Sequence, residues 1–195
     1  MQTEFEVKFC GLDHDDVRRR LTEAGATLIE PMRDMRRIIF DYSDNRLQAG
    51  DAYIRLRDEG DKVTLTYKHF PAKHEIGGAR EIETTVGSFE QTTELLKAVG
   101  LSDRSYQESR RETWQLDGGE VVLDEWPWLK PYIEIEAIDE ETVRAMTKKL
   151  GYDWKDAVFG DVVVAYRLQY EMPSKKLGHS TIRFDDPRPE WMVPK

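Results

Sequence analysis

The sequence predicts an α+β protein: about eight short antiparallel strands, closed into a sandwich or a barrel, with amphipathic helices set between them. Three observations predict it. Segments that alternate apolar and polar residues at the two-residue period of a strand recur along most of the 195 residues. The links between several of them carry Gly, Asp and Pro, which tolerate or impose turn geometry. Helical segments interrupt the strands with recognisable start and stop signals.

The first strand, EFEVKF, sets Phe5, Val7 and Phe9 on one face and Glu4, Glu6 and Lys8 on the other. A helix follows in DHDDVRRRLTEAGA: Asp13 caps it, Val17, Leu21 and Ala24 share a face, and Gly25 stops it. Further strands are expected over 35–42, 52–58, 62–70, 80–86, 108–116, 119–126 and 131–137. Tight turns belong at EGD around Gly60 and at Asp117 to Gly119, and the longer loop FPAKHEIGGA joins two strands. A second helix begins at Ser88, with Gln91 completing a capping box, and ends at Gly100. A third begins at Asp139, lines up Val143, Met146 and Leu150, and ends at Gly151; a fourth is expected over 155–170. From Glu171 the chain turns polar and proline-rich, so residues 1–170 are expected to form the domain and 171–195 a tail or an edge-covering extension.

The composition is globular, 39% hydrophobic and 34% charged, and the length suits one domain with a sizeable core. A net charge of −9 argues against a broad basic face for nucleic acid, though not against a small anion held by local cations. The single cysteine, Cys10, cannot form an intrachain disulfide, which suits a reducing compartment. No apolar run approaches a membrane span and no signal-peptide core is visible, so a cytoplasmic protein without membrane contact is expected.

The charged faces form a pattern of their own. Arg55 and Arg57 share a face in AYIRLR, Lys68 sits with Thr64 and Thr66, and Glu81 and Glu83 share a face in REIET. Glu134 and Glu136 do the same in YIEIEA, Asp124 lies on the side of Val122, and Arg111 faces away from Arg110 and Trp114. These faces point either to water, around an apolar interior, or into a barrel whose apolar outside is covered by the helices. An eight-stranded barrel has room for side chains or one small ligand. Unpaired buried ions cost several kcal/mol each, roughly, but mixed signs allow pairing. Carboxylates spaced i, i+2 repel unless a cation joins them, and hard divalent metals take such oxygens. The remaining cations suit phosphate oxygens, arginine as a planar fork and lysine as a point charge.

The E-x-E-x-K of Glu4, Glu6 and Lys8 is followed in order by FDYSD, AYIRLR, TYK, REIET, SRRETW, VVLDEW and YIEIE. From Glu4 to about Glu136 the chain therefore resembles the CYTH proteins, the triphosphate tunnel metalloenzymes. The resemblance implies an eight-stranded antiparallel barrel with a polar charged lumen and helices outside, holding a triphosphate together with Mg²⁺ or Mn²⁺. It implies metal ligands at Glu4, Glu6, Asp124, Glu134 and Glu136, and a phosphate clamp of Lys8, Arg55, Arg57, Lys68 and Arg111. Glu81 and Glu83 would form an acidic pair on the far wall, with Glu81 an accessory acid and Lys8, Arg57 and Glu83 the catalytic set. The expected partner is ATP, tripolyphosphate or thiamine triphosphate, beside at most a second copy of the chain in a homodimer.

The chain departs from the family pattern in places. Ser109 stands where a basic residue often precedes the arginine by two, and Met35 and Arg37 stand where a Q-x-D often lies. WPWLKP replaces a Leu-Gly turn and is either a ring-contacting mouth or a hydrophobic plug. None of the histidines at 14, 69, 74 and 179 falls in a motif, so a metal-bound hydroxide or a tunnel carboxylate is the expected proton acceptor. The expected activity is that of an adenylyl cyclase, ATP to cyclic AMP and pyrophosphate. The alternatives are an inorganic tripolyphosphatase or a thiamine or nucleoside triphosphatase, and a non-catalytic sensor of nucleotide or polyphosphate.

Overall fold

The computed structural model describes residues 1–72, 75–173 and 175–195, with the backbone alone at Gln2. Lys73 and His74 of the FPAKHEIGGA loop lie outside the described residues. The strands are β1 (Gln2–Cys10), β2 (Thr27–Tyr42), β3 (Ala52–Asp58), β4 (Val63–His69), β5 (Ala79–Val86), β6 (Leu101–Leu116), β7 (Gly119–Glu125) and β8 (Tyr132–Ala137). They close into one antiparallel barrel in the order β1-β5-β4-β3-β2-β6-β7-β8, with β8 pairing back onto β1 through Lys8 opposite Glu134. Closure satisfies the backbone ladders that an open sheet would leave at its edges.

The alternation seen in the sequence decides what lies outside. Val7 and Phe9 of β1, Val121 and Leu123 of β7, and Ile133 and Ile135 of β8 form a buried cluster with Val17 and Leu21 of α1 (His14–Glu23). Val143 and Met146 of α4 (Glu140–Lys149) join it, and these helices were expected from their capping residues Asp13 and Asp139. α2 (Arg46–Ala49) is a single turn after β2, and α3 (Phe89–Ala98), capped by Ser88, covers Phe40 and Leu56. Each fully buried apolar side chain contributes roughly 1.5–3 kcal/mol, so the hydrophobic stabilisation sits between barrel and helices rather than inside the barrel. The Asp117–Gly118 turn takes positive φ at both residues, 48° and 86°, the twist that a two-residue hairpin loop needs. Gly119 follows because a Cβ there would stand 2.5 Å from the Glu136 carbonyl oxygen.

The long strands differ from expectation. β2 begins at Thr27 and not at residue 35, and β6 at Leu101 and not at 108. Register shifts between Leu28 and Glu30, and between Glu30 and Arg33, break the two-residue alternation that would have shown the first half of β2. In β6 the early inward residues are Ser105 and Gln107, buried yet polar, so no apolar stripe marks them. The fourth helix also shrinks. Residues Trp154–Asp156 form a 3₁₀ turn, Val158 pairs with the Lys8 backbone, and Gly160 at φ 113° redirects the chain into α5 (Val162–Gln169).

The last segment is folded onto one end of the barrel. Leu177, Ile182 and Met192 are buried with Trp126, Leu129, Tyr132 and Tyr166. Ile182 exchanges backbone hydrogen bonds with Tyr106 (2.8 Å) and Glu108 (2.9 Å), covering the part of β6 that β7 does not reach. Two short strands, β9 (Tyr170–Glu171) and β10 (Val193–Pro194), pin the terminus back to α5.

Candidate active site

The barrel encloses a cavity of about 890 Å³, within the usual range for a small-molecule site. Glu4, Glu6, Lys8, Arg55, Arg57, Lys68, Glu81, Glu83, Arg111, Glu134 and Glu136 line it. The charged faces therefore look inward. Asp124 is the exception among the expected residues: it is not on the cavity wall. It lies behind Arg111, 1% exposed, and its carboxylate takes both forks of that guanidinium at 2.8 and 2.5 Å.

The closed order divides the lumen by sign. The four neighbouring strands β5, β1, β8 and β7 contribute Glu81, Glu83, Glu4, Glu6, Glu134, Glu136 and Glu120, with Lys8 among them and Asp124 behind the wall. The other four, β4, β3, β2 and β6, contribute Lys68, Arg55, Arg57, Arg33, Arg37 and Arg111, with Glu30 and Asp41 of β2 as the acidic exceptions. An acidic wall thus faces a basic wall.

Ion pairs bridge the two walls and their seams. Lys8, 1% exposed, lies 2.8 Å from Glu6 and 3.1 Å from Glu134. Burial alone would lower its pKa, but those two carboxylates hold it well above the ordinary lysine range. Glu134 is correspondingly held far below the ordinary range, since Lys8 and Arg111 outweigh its burial. Arg111 reaches Glu134 at 2.8 Å, and Lys68 pairs with Glu4. Arg55 contacts Glu83 at 3.3 Å, and the Thr66 hydroxyl donates to the same carboxylate at 2.7 Å. Arg57 is lowered to about 10 by burial and by the neighbouring Arg55 and Arg111.

Two acids remain undercompensated. Burial, helped by Glu81, pushes Glu4 up to about 7 despite Lys68. Burial together with Glu6, Glu4 and Glu134 pushes Glu136 up to about 7. One Glu81 oxygen is buried without a hydrogen-bond partner among the described residues. Among the described residues no three carboxylates, histidines or cysteines already converge as a metal cage. Mg²⁺ does not need one, because it binds through one or two carboxylates, substrate phosphates and retained waters. In charge and donor type Glu4, Glu6, Glu136 and Glu81 fit a hard divalent cation. Asp124 and Glu134 fit less well, because Arg111 occupies them.

Several residues on the wall were not expected from sequence. Arg37 stacks on Trp126, 4.4 Å from ring centroid to guanidinium carbon, and donates to Gln107 at 2.8 Å. Its pKa is lowered by burial. Arg37 shares strand parity with Ile39, and both line the cavity, whereas Arg36 faces out to Asp58 and Glu90. Glu59, in the EGD turn, is buried and pairs with Arg57 at 2.7 Å. Asp41 of FDYSD is structural: its carboxylate accepts from the backbone N–H of Tyr42, Leu47 and Gln48 and so holds α2 at the cavity rim. Ser109 is buried, whereas Arg110 lies outside on Asp34 (2.9 Å) and Phe184 (4.4 Å). Trp126 of the WPWLKP segment lines the cavity at 5% exposure, and Arg37 lies over its ring.

The CYTH domain profile matches residues 2–158. Among solved structures, a candidate adenylate cyclase from Vibrio parahaemolyticus superposes with TM-score 0.72 at 14% identity, over 80% of this chain and 92% of that one. The PH1012 protein of Pyrococcus horikoshii gives 0.66 at 21% identity, over 79% and 93%. A candidate adenylyl cyclase from Hippeastrum, described as having a dominant triphosphatase activity, gives 0.58 at 16% identity, over 80% and 90%. A search of curated protein sequences returned no match.

Proposed function

The chain belongs to the CYTH domain family, and from that premise we propose that it is a metal-dependent enzyme acting on a triphosphate held inside the barrel. The observation that carries the proposal is the split lumen. A basic wall of Arg55, Arg57, Arg37, Lys68 and Arg111 suits phosphate oxygens, and an acidic wall of Glu4, Glu6, Glu136 and Glu81 suits hard cations. A divalent metal held on the acidic wall would neutralise charge on the phosphate oxygens and polarise them. The family implies such a metal.

The chain's own residues supply positioning and charge, which dominate phosphoryl and nucleotidyl transfer. Arg55 and Arg57, on one face of β3, grip successive phosphates together with Arg111 of the same wall, and Lys8 meets them from the acidic side. A phosphate entering this clamp exchanges with carboxylate partners already there, so the guanidinium geometry is prepared before binding. Glu83, held by Thr66 and Arg55, is positioned to orient the attacking oxygen and hold its proton.

Two reactions share this clamp. Cyclisation of ATP, with the ribose 3′ oxygen attacking the α-phosphorus and pyrophosphate leaving, needs a seat for the base. Tyr53 and Phe70 line the cavity 5.9 Å apart, beside Lys68, and offer that seat. Hydrolysis, the second reading, is favoured at Trp126, where Arg37 lies over the ring face that a base would stack on. Incubation with ATP or tripolyphosphate and Mg²⁺ or Mn²⁺, resolved for cyclic AMP, pyrophosphate and phosphate, tests the proposal. Cyclic AMP with stoichiometric pyrophosphate supports the cyclase, and phosphate without cyclic AMP the hydrolase. Saturable binding with no product from either substrate makes the protein a sensor and overturns the enzyme reading.

A further inference from the structure

Among the carboxylates on the basic side, Glu59 is the one set against Arg57, Arg33 and Lys62. Glu59, at the turn from β3 into β4, is 3% exposed. Its Oε1 takes both Arg57 nitrogens, at 2.9 and 2.7 Å, and the Thr64 hydroxyl at 3.3 Å. Its Oε2 faces Arg33 at 3.5 Å and Lys62 at 3.7 Å. Arg33 still has Nε and Nη1 buried without a hydrogen-bond partner among the described residues. Three cations therefore surround one carboxylate, and the donors exceed what it can accept. Burial alone would raise the Glu59 pKa, yet Arg57 and Lys62 hold it below the ordinary range, so it is anionic at neutral pH.

An anion inside a cation cage that also lines the substrate cavity resembles a bound phosphate in charge and in contacts. We propose that Glu59 is the phosphate-chain stop of the tunnel, occupying an anion subsite built by Arg33, Arg57 and Lys62 and limiting the bound chain to a triphosphate. The inference rests on the triphosphate reading above. A chain gripped by Arg57 runs into the Glu59 carboxylate next, and like charges there reject a further phosphate. The β3–β4 turn that carries Glu59 lies at the barrel end opposite Trp126 and Tyr132, so the like-charge stop acts on a chain that extends past Arg57 toward that turn. Glu59→Gln keeps the shape and the Arg57 hydrogen bond while removing the charge, which frees the spare Arg33 donors for a fourth phosphate.

The test is isothermal titration calorimetry with inorganic tripolyphosphate and tetrapolyphosphate, both with Mg²⁺, on the unmodified protein and on Glu59→Gln. The unmodified protein is expected to bind tripolyphosphate at least as tightly as tetrapolyphosphate, despite the extra charge of the longer chain. In Glu59→Gln the affinity ratio shifts toward tetrapolyphosphate by roughly tenfold, the effect of one added charge-assisted contact. An unchanged ratio in that variant overturns the stop and leaves the triphosphate reading standing, because Glu59 then only braces Arg57. Tenfold tighter tetrapolyphosphate binding by the unmodified protein overturns it equally, and needs no variant to fold. Failure of the folded, unmodified protein to bind either chain overturns the triphosphate reading itself, and the stop with it.

Discussion

Lys8 joins the N-terminal strand to the acidic wall through two carboxylates and has almost no contact with water. Its removal leaves Glu6 and Glu134 buried beside each other, and breaking a buried pair in this way costs about 3–5 kcal/mol. Lys8→Ala is therefore expected to lower stability by that amount in urea unfolding, beyond any effect on turnover. Arg110 is the contrasting residue, one position from Arg111 but on the outer face with a half-exposed pair to Asp34. Arg110→Ala should change stability by no more than about 1 kcal/mol and leave triphosphate turnover unchanged. Glu4 and Glu136 give the pH dependence of the metal-free protein. Both have folded pKa values near 7, above the unfolded value of 4.5, so the folded state binds more protons between those limits. Their contribution is present at low pH and is lost as pH rises from about 4.5 through 7. Thermal unfolding in chelator should show stability falling across that window, and Glu136→Gln should flatten the slope. An unchanged slope in the variant would show that Glu136 is not buried among carboxylates.

The elements were legible where local chemistry and packing agree. Asp13, Ser88 and Asp139 cap their helices as their positions predict, each side chain accepting from a backbone N–H of the first turn. β3 was readable to the residue because Ile54 and Leu56 alternate cleanly with Arg55 and Arg57. The first halves of β2 and β6 were not, since bulges shift one and small polar residues line the other. α2 has too few residues to show a period, and depends on Asp41 instead. Asp41→Asn should cost about 1.5–3 kcal/mol, the loss of a charged acceptor from three backbone donors, and should speed amide exchange at Leu47 and Gln48. Exchange as slow as in the unmodified protein would mean that α2 is held by packing. The closing segment is held by buried apolar contacts, so Ile182→Ala should cost about 2–5 kcal/mol in denaturant unfolding.

At the scale of the molecule the sequence carried the inward faces but not their division by sign. Which strands are neighbours follows from closure: β5 meets β1, and β2 meets β6, across long stretches of chain. That order gathers most of the lining acids on four neighbouring strands and most of the lining cations on the other four. Arg37 owes its place to partners that closure brings together, Gln107 and Trp126. The partners of Glu59 are instead mostly local (Arg57, Lys62 and Thr64), and its turn position reads as solvent-facing. Among the described residues no helix is long and apolar enough to cross a membrane. The central claim is that the lumen, with its opposed walls, is a triphosphate site. Its most direct test is the Tm of the protein titrated with tripolyphosphate and Mg²⁺, beside Arg57→Gln and Arg110→Ala. At about one hundred times Kd, binding adds about 2.7 kcal/mol, a rise of roughly 5–10 °C for a chain of this size. That rise should persist in Arg110→Ala and largely vanish in Arg57→Gln. A Tm that ignores tripolyphosphate, or rises equally in Arg57→Gln, would contradict the claim.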